Sequence, residues 1–191
     1  MGLISHKAPH FTAEAVDNLE FKTLSLNDFE NEYVILLFYP LDFTFVCPTE
    51  LWAFSDRIQE FKQKNCRVLA VSVDSKHSHL AWLKTPKNKG GVKGLNLTLI
   101  SDINRELATS YDILTSEGVA LRGMFIIDNE QIIRSAIIND LPIGRSVDEA
   151  LRLLDAVQFH QAHGEVCPVN WKKGDQGMTT DSSGLQTYFS D

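Results

Sequence analysis

Cysteine is scarce in this sequence: three residues among 191, none of them in a Cys-x-x-Cys pair. Without that spacing there is neither a zinc knuckle nor the usual dithiol of a thioredoxin-type reductase. A small, odd number of cysteines also excludes the framework of a disulfide-stapled secreted domain. Long apolar runs are missing too. The longest, Tyr33-Val34-Ile35-Leu36-Leu37-Phe38-Tyr39, has the length of a strand and falls well short of the ~20 residues of a membrane helix. Positive charge is not in excess. Eighteen Lys and Arg against 25 Asp and Glu give a net charge of −7, which argues against non-specific nucleic-acid binding. The start, Met1-Gly2-Leu3-Ile4-Ser5-His6-Lys7, has no signal-peptide core, and His6 stands where a myristoylation motif needs Ser or Thr. The expected location is therefore cytoplasmic, with no membrane or nucleic-acid partner, although the mature form of an organellar protein reads the same way.

What is present alternates between two periodicities. Residues 33–39 and 66–73 are apolar, strand-length runs. Residues 50–64 place Leu51, Phe54, Ile58 and Phe61 on one helical face. A helix is expected over 76–84, a short strand over 97–100, and a short helix over 104–111. A hairpin joins 123–128 to 131–138 about Asp128-Asn129-Glu130. Ser146-Val147-Asp148-Glu149 is a capping-box pattern opening a helix to about His160. Gly90-Gly91-Val92-Lys93-Gly94 reads as loop. The alternation predicts an α/β sandwich with a central mixed β-sheet flanked by helices. One domain is expected over 1–163, with a polar C-terminal arm over 164–191.

Two of the cysteines precede proline. Cys47-Pro48 lies between the 33–39 strand and the next helix, and proline suits a helix's first turn. A sulfur there faces free backbone N–H groups and the positive end of the helix dipole, which favour thiolate, the attacking species. Arg122, at the entrance to the 123–128 strand, is the best-placed cation. Thr44 can present a hydroxyl to a bound oxygen or to the sulfur, and Pro40 shapes the loop and shields it from water. An isolated cysteine is as readily a small buried hydrophobe, but Pro40-x-x-x-Thr44-x-x-Cys47-Pro48 is more specific than that. Cys167-Pro168 sits in the polar arm. Cys66 opens an apolar strand and reads as core. His77 and His79, two apart, do not share a helical face, so solvent or interface positions are expected. His160 and His163 suit a helix end. Trp52, Trp82 and Trp171 read as packing residues.

The run from Phe38 to Glu50, Phe38-Tyr39-Pro40-Leu41-Asp42-Phe43-Thr44-Phe45-Val46-Cys47-Pro48-Thr49-Glu50, resembles the active-site signature of the peroxiredoxins, in particular the typical two-cysteine subgroup. The resemblance spans essentially the whole chain. It includes Ser72-Val73-Asp74-Ser75, His79-Leu80-Ala81-Trp82, Leu121-Arg122-Gly123, the segment from Asn139 to Ser146, and Glu165-Val166-Cys167-Pro168.

The resemblance implies a thioredoxin-like fold and a peroxidase acting on hydrogen peroxide and alkyl hydroperoxides without metal or organic cofactor. By it, Cys47 is the peroxidatic cysteine, assisted by Thr44, Arg122 and Pro40, with Glu50 and Arg145 holding Arg122. Cys167 is the resolving cysteine, acting on the partner subunit's Cys47, and thioredoxin or a flavin-dependent disulfide reductase restores the thiols. The 131–138 strand pairs edge to edge in a homodimer, and loops near 41–46 and 76–80 join dimers into a ring, usually of five. Trp82 lies near the dimer contact and Trp171 beside the resolving cysteine. The family's elements linked to overoxidation are a Gly-Gly-x-Gly loop and a C-terminal helix ending in Tyr-Phe. Tyr188-Phe189 is present, while Lys93 stands where the last loop glycine is expected, so the loop is either slipped by a residue or altered. A holdase chaperone or peroxide-signal relay fits the same features as an additional activity.

Overall fold

The computed structural model describes residues 2–190. It divides into two compact units, the described residues up to Arg145 and those from Ser146 onward. The division thus falls before the long C-terminal helix, whereas the change in sequence character falls after it.

Among the described residues of the first unit, seven strands form one sheet in the order β2-β1-β5-β4-β3-β6-β7. They are β1 (Thr12–Asp17), β2 (Glu20–Ser25), β3 (Tyr33–Phe38), β4 (Cys66–Ser72), β5 (Thr98–Ser101), β6 (Arg122–Ile127) and β7 (Ile133–Asn139). The middle pairs β3–β4 and β4–β5 are parallel, and the outer pairs are antiparallel. Parallel neighbours need crossovers. Helices α1 (Val46–Asp56) and α2 (Ile58–Gln63) provide the first, and α3 (Lys76–Lys84) the second. A short α4 (Glu106–Ser110) follows β5. The central strands are apolar at nearly every position because both faces are covered, as parallel sheets require. Phe38, Tyr111 and Phe125 form a tight aromatic group in this core, with Tyr111 and Phe125 centroids 4.7 Å apart.

One expectation is corrected here, and one pair of strands was not among those expected. The 50–64 helix begins earlier, at Val46, and is interrupted at Arg57, where φ is −107° and ψ 14°. The apolar spacing runs across that break unchanged, so periodicity alone could not reveal it. The β1–β2 hairpin has no strong sequence signal because β2 is largely solvent-exposed and polar.

The 90–94 loop folds tightly against the end of α3. Gly90 and Gly94 occupy the left-handed region, at φ 78° and 101°, and Lys93 does not. The second left-handed glycine therefore stands one residue later than the Gly-Gly-x-Gly pattern places it. The Gly91 and Lys93 N–H groups donate to the Pro86 and Thr85 carbonyls.

The second unit contains α5 (Val147–His163) and α6 (Ser182–Tyr188). Ser146 caps α5 by accepting from the Glu149 N–H, and Gly164 ends it in the left-handed region at φ 71°. After it the chain turns back, with Val166 and Met178 exchanging backbone hydrogen bonds. Trp171 is buried against Phe159, with ring centroids 4.8 Å apart.

A Cβ on Gly91 would lie 2.0 Å from the Thr85 carbonyl oxygen, a backbone atom that cannot swing away. Gly91→Ala is expected to destabilise the first unit by about 1–3 kcal/mol through overpacking. Urea unfolding of the variant beside wild type checks this, and an unchanged midpoint would rule out the close approach.

Candidate active site

Cys47 is the second residue of α1, which begins at Val46, two residues before the expected start near Pro48. Its side chain is fully buried. The first turn of a helix leaves backbone N–H groups without intrahelical acceptors, and no side chain caps this one. A guanidinium reaches the sulfur: Arg122 Nη1 donates to Cys47 Sγ at 3.5 Å. Arg122 is the first residue of β6, so strand and helix deliver the two groups from 75 residues apart.

Arg122 is held from two sides. Its Nε donates to the Leu141 carbonyl at 2.5 Å, and Nη1 also donates to Glu50 Oε2 at 2.6 Å. Glu50 lies one turn beyond Cys47 in α1 and receives Arg145 as well. The Arg145 backbone N–H and Nε both donate to Oε1 at 2.8 Å, and Nη2 donates to Oε2 at 3.0 Å. Arg145 Nη1 closes the frame on the Gly123 carbonyl at 2.6 Å. Glu50, Arg122 and Arg145 are all buried. The expected grouping of Cys47, Arg122, Glu50 and Arg145 is thus present as one connected cluster.

Burial alone would raise the Glu50 carboxyl. The hydrogen bonds and charge of Arg145, with the charge of Arg122, outweigh it and hold Glu50 below the ordinary carboxylate value. Burial pulls the Arg145 guanidinium down, and Glu50 works against that pull.

Pro40 is buried just after β3. Thr44 is half-buried, and its hydroxyl donates to the Leu41 carbonyl at 2.9 Å, which leaves its oxygen lone pairs to accept from another group. Between them Asp42 is buried among polar partners that sequence reasoning missed: Tyr39, Asp74, Ser78 and His79. His79 is fully buried, not at the surface as its helical spacing led one to expect, and lies 2.9 Å from Asp42 Oδ2. Its signal was the pairing of a histidine with an aspartate in a separate loop, which no local pattern displays.

Cys167 belongs to the second unit. It is half-buried, and its Sγ donates weakly to the Ala156 carbonyl at 3.6 Å. Burial raises its thiol above the ordinary value, and the charge of Arg152 offsets this only in part. Arg152 itself ties Glu149 to the Trp171 carbonyl. Cys66 is buried in β4, and burial pushes its thiol far up, as suits an inert core residue. Among the described residues no group of three His, Cys, Asp or Glu is placed to hold a metal ion.

The depressed Glu50 carboxyl makes stability depend on acid. Its contribution is fully present above the unfolded value of about 4.3 and is lost as pH falls through the lower folded value. Glu50→Gln leaves two buried guanidinium groups short of a partner and is expected to cost about 3–5 kcal/mol at neutral pH. Its stability should also fall less steeply than wild type below about pH 4.3. Unfolding curves at several pH values measure both, and an unchanged acid slope would show that Glu50 is not held low.

A solved structure shares this arrangement of elements, and named proteins share much of the sequence. The AhpC/TSA family model matches residues 4–136, and the model of the C-terminal domain of 1-Cys peroxiredoxin matches residues 156–191. The chain is 52% identical to the mitochondrial thioredoxin-dependent peroxide reductase of Rattus norvegicus over 187 residues, covering 97% of this chain and 73% of that protein. It is 53% identical to the chloroplastic 2-cysteine peroxiredoxin of Chattonella marina var. antiqua over 188 residues, covering 97% and 96%. The solved structure of reduced 2-Cys peroxiredoxin from Plasmodium vivax superposes with a TM-score of 0.98 at 44% identity, covering all of both chains. The seven-stranded sheet with its flanking helices is therefore a thioredoxin-like fold, and the chain belongs to the AhpC/TSA family of peroxiredoxins, as a peroxidase of the 2-Cys type.

Proposed function

We propose that Cys47 is the peroxidatic cysteine and that the partner subunit's Cys167 resolves it. The observation that carries the reading is the buried Arg122 N–H aimed at Cys47 Sγ, within a frame fixed by Glu50 and Arg145. The Cys47 thiolate attacks the terminal oxygen of hydrogen peroxide or an alkyl hydroperoxide. An S–O bond forms as the O–O bond breaks. The peroxide takes two electrons from the sulfur, which becomes a sulfenic acid, and the hydroxide or alkoxide leaves and takes up a proton. Arg122 and the Cys47 backbone N–H stabilise charge developing along the breaking bond. The Thr44 oxygen accepts the peroxide O–H, and Pro40 keeps bulk water from the loop. The scheme needs neither metal nor organic cofactor.

In the second step the Cys167 thiol attacks the sulfenic sulfur, and water leaves as the disulfide forms. A raised Cys167 thiol fits a group that waits protonated while Cys47 meets the peroxide first. Cys47 is fully buried in a helical turn, so that turn must unwind before another thiol can reach it. Thioredoxin or a flavin-dependent disulfide reductase then restores both thiols. The name of the Rattus norvegicus relative supports thioredoxin. The dimer is built by β7, the last strand in the sheet order. Exposed Leu41, Phe43 and Phe45 support joining dimers, five to a ring, through the 41–46 loop.

One equivalent of hydrogen peroxide followed by a non-reducing denaturing gel tests the assignment. A thiol-reversible dimer band is expected in wild type and absent in both Cys47→Ser and Cys167→Ser. A wild type that stays monomeric while its thiol count falls would remove Cys167 from the proposed role. Arg122→Lys keeps a charge but loses the fork that reaches both Glu50 and the sulfur. Its second-order rate with hydrogen peroxide is expected to fall by roughly 10²–10³-fold, measured by competition kinetics, and a near wild-type rate would contradict the part given to Arg122.

A further inference from the structure

The segment from the end of β3 to the start of α1 carries both Pro40 and Thr44, yet its shape is not self-supporting. Phe43 takes φ 54°, in the left-handed region that a bulky residue rarely adopts. Leu41, Phe43 and Phe45 expose apolar surface. A short loop with these features keeps one conformation only if something outside it holds the backbone.

Asp42 supplies that hold. Its backbone N–H donates to Asp74 Oδ2 at 2.8 Å. Its Oδ1 accepts from the Tyr39 hydroxyl at 2.8 Å, and its Oδ2 accepts from the Ser78 hydroxyl at 3.0 Å. Burial first, and then the charge of Asp42, keep the Tyr39 phenol well above its ordinary value, so this hydroxyl remains a donor. Asp74 is secured in turn by the Ser72 hydroxyl at 2.8 Å, and its carbonyl by Ser101 at 2.7 Å.

His79 completes the clamp. One ring nitrogen, Nε2, lies 3.2 Å from the Ile100 carbonyl oxygen, and the other, Nδ1, lies 2.9 Å from Asp42 Oδ2. A carbonyl oxygen only accepts, so Nε2 carries a hydrogen. Nδ1 likewise faces an acceptor, the Asp42 carboxylate, so both ring nitrogens are directed at acceptor oxygens. The partners assign the ring as a two-point tie between the loop and β5. Trp82 backs it, packing on Tyr39 and on Phe43 at centroid distances of 5.9 and 6.0 Å.

We infer that the Asp42–His79 pair is a positioning element for the peroxide reaction, holding the 40–44 loop so that the Thr44 oxygen and the Cys47 sulfur meet the same peroxide. The inference rests on the reading of Cys47 as the peroxide-reactive sulfur. The pair touches neither sulfur nor substrate. It acts through the loop: Thr44 is tied to the Leu41 carbonyl, and Asp42, between them, is tied to α3 and to residues just beyond β3 and β4. Thiol reactivity and peroxide alignment are therefore separable. A displaced loop leaves the Arg122–Cys47 contact in place and misaligns only the peroxide.

The test compares two reactions of Cys47 in a Cys167→Ser background. One is oxidation by hydrogen peroxide, and the other is alkylation by iodoacetamide, which needs the thiolate but no aligned oxygen. Asp42→Asn and His79→Leu are expected to slow oxidation by roughly 10–100-fold, the scale of an ångström-sized misplacement. Alkylation should stay within about twofold of the parent. His79→Asn keeps an N–H directed at Asp42 and should recover most of the oxidation rate. Oxidation at the parental rate in a folded Asp42→Asn variant would overturn the inference, as would an equal fall in both reactions. If His79→Leu does not fold, Asp42→Asn and His79→Asn decide. A parent protein that alkylates at Cys47 but does not react with peroxide would instead overturn the reading of Cys47 itself.

Discussion

A single buried carboxylate organises this protein's chemistry. Glu50 receives four hydrogen bonds, three from Arg145 and one from Arg122, in surroundings that exclude water. Removing one anion and two cations from water is costly, and only good geometry with nearly complete hydrogen bonding compensates for it. The cluster meets that condition, with further guanidinium hydrogens given to the Leu141 and Gly123 carbonyls. Its charge does not balance. Two guanidinium groups against one carboxylate leave one positive charge, and an anionic sulfur at Cys47 would close the account. The Glu50 position therefore fixes where Arg122 points and what charge the site accepts.

The fold brings these groups together from three distant stretches. β6 starts at Arg122, α1 carries Cys47 and Glu50 on successive turns, and Arg145 ends the segment after β7. The mixed sheet makes this possible. β3 is parallel to β4 and antiparallel to β6, so the end of β3, which leads to α1, and the beginning of β6 lie at the same edge of the sheet. The Asp42 clamp uses the same edge from the other side, where the turn after β4 and the start of α3 supply Asp74, Ser78 and His79.

Much of this architecture was legible in the residues. The continuous apolar runs of β3 and β4 are what a sheet covered on both faces demands, and α3 spans the residues its spacing implied. The interruption at Arg57 was hidden because Phe54, Ile58 and Phe61 keep a helical interval across it. β2 was hidden because an exposed edge strand has no apolar pattern to show. For the site, Pro40, Thr44 and Cys47 stood out by local spacing. Glu50 and Arg145 were named by resemblance, and their contact spans 95 positions of chain. His79 was misplaced because helical spacing tells which neighbours share a face, not whether that face is buried. Its partner Asp42 lies 37 positions earlier, in a loop.

For the disulfide proposed at Cys47, placing Glu50 one turn beyond it would link redox potential to helix stability. Any unwinding that frees Cys47 for disulfide formation loosens the next turn as well, and with it the grip on Arg122 and Arg145. In the proposed cycle the oxidised protein would hold two cations whose shared anion has moved, and the reduced protein would recover the cluster when the helix rewinds. The free energy of that recovery belongs to the reduced side of the couple. Each 1.4 kcal/mol of it raises the disulfide's reduction potential by about 30 mV. A strong buried ion cluster in the reduced protein would thus make the proposed disulfide easier for a reductant to open.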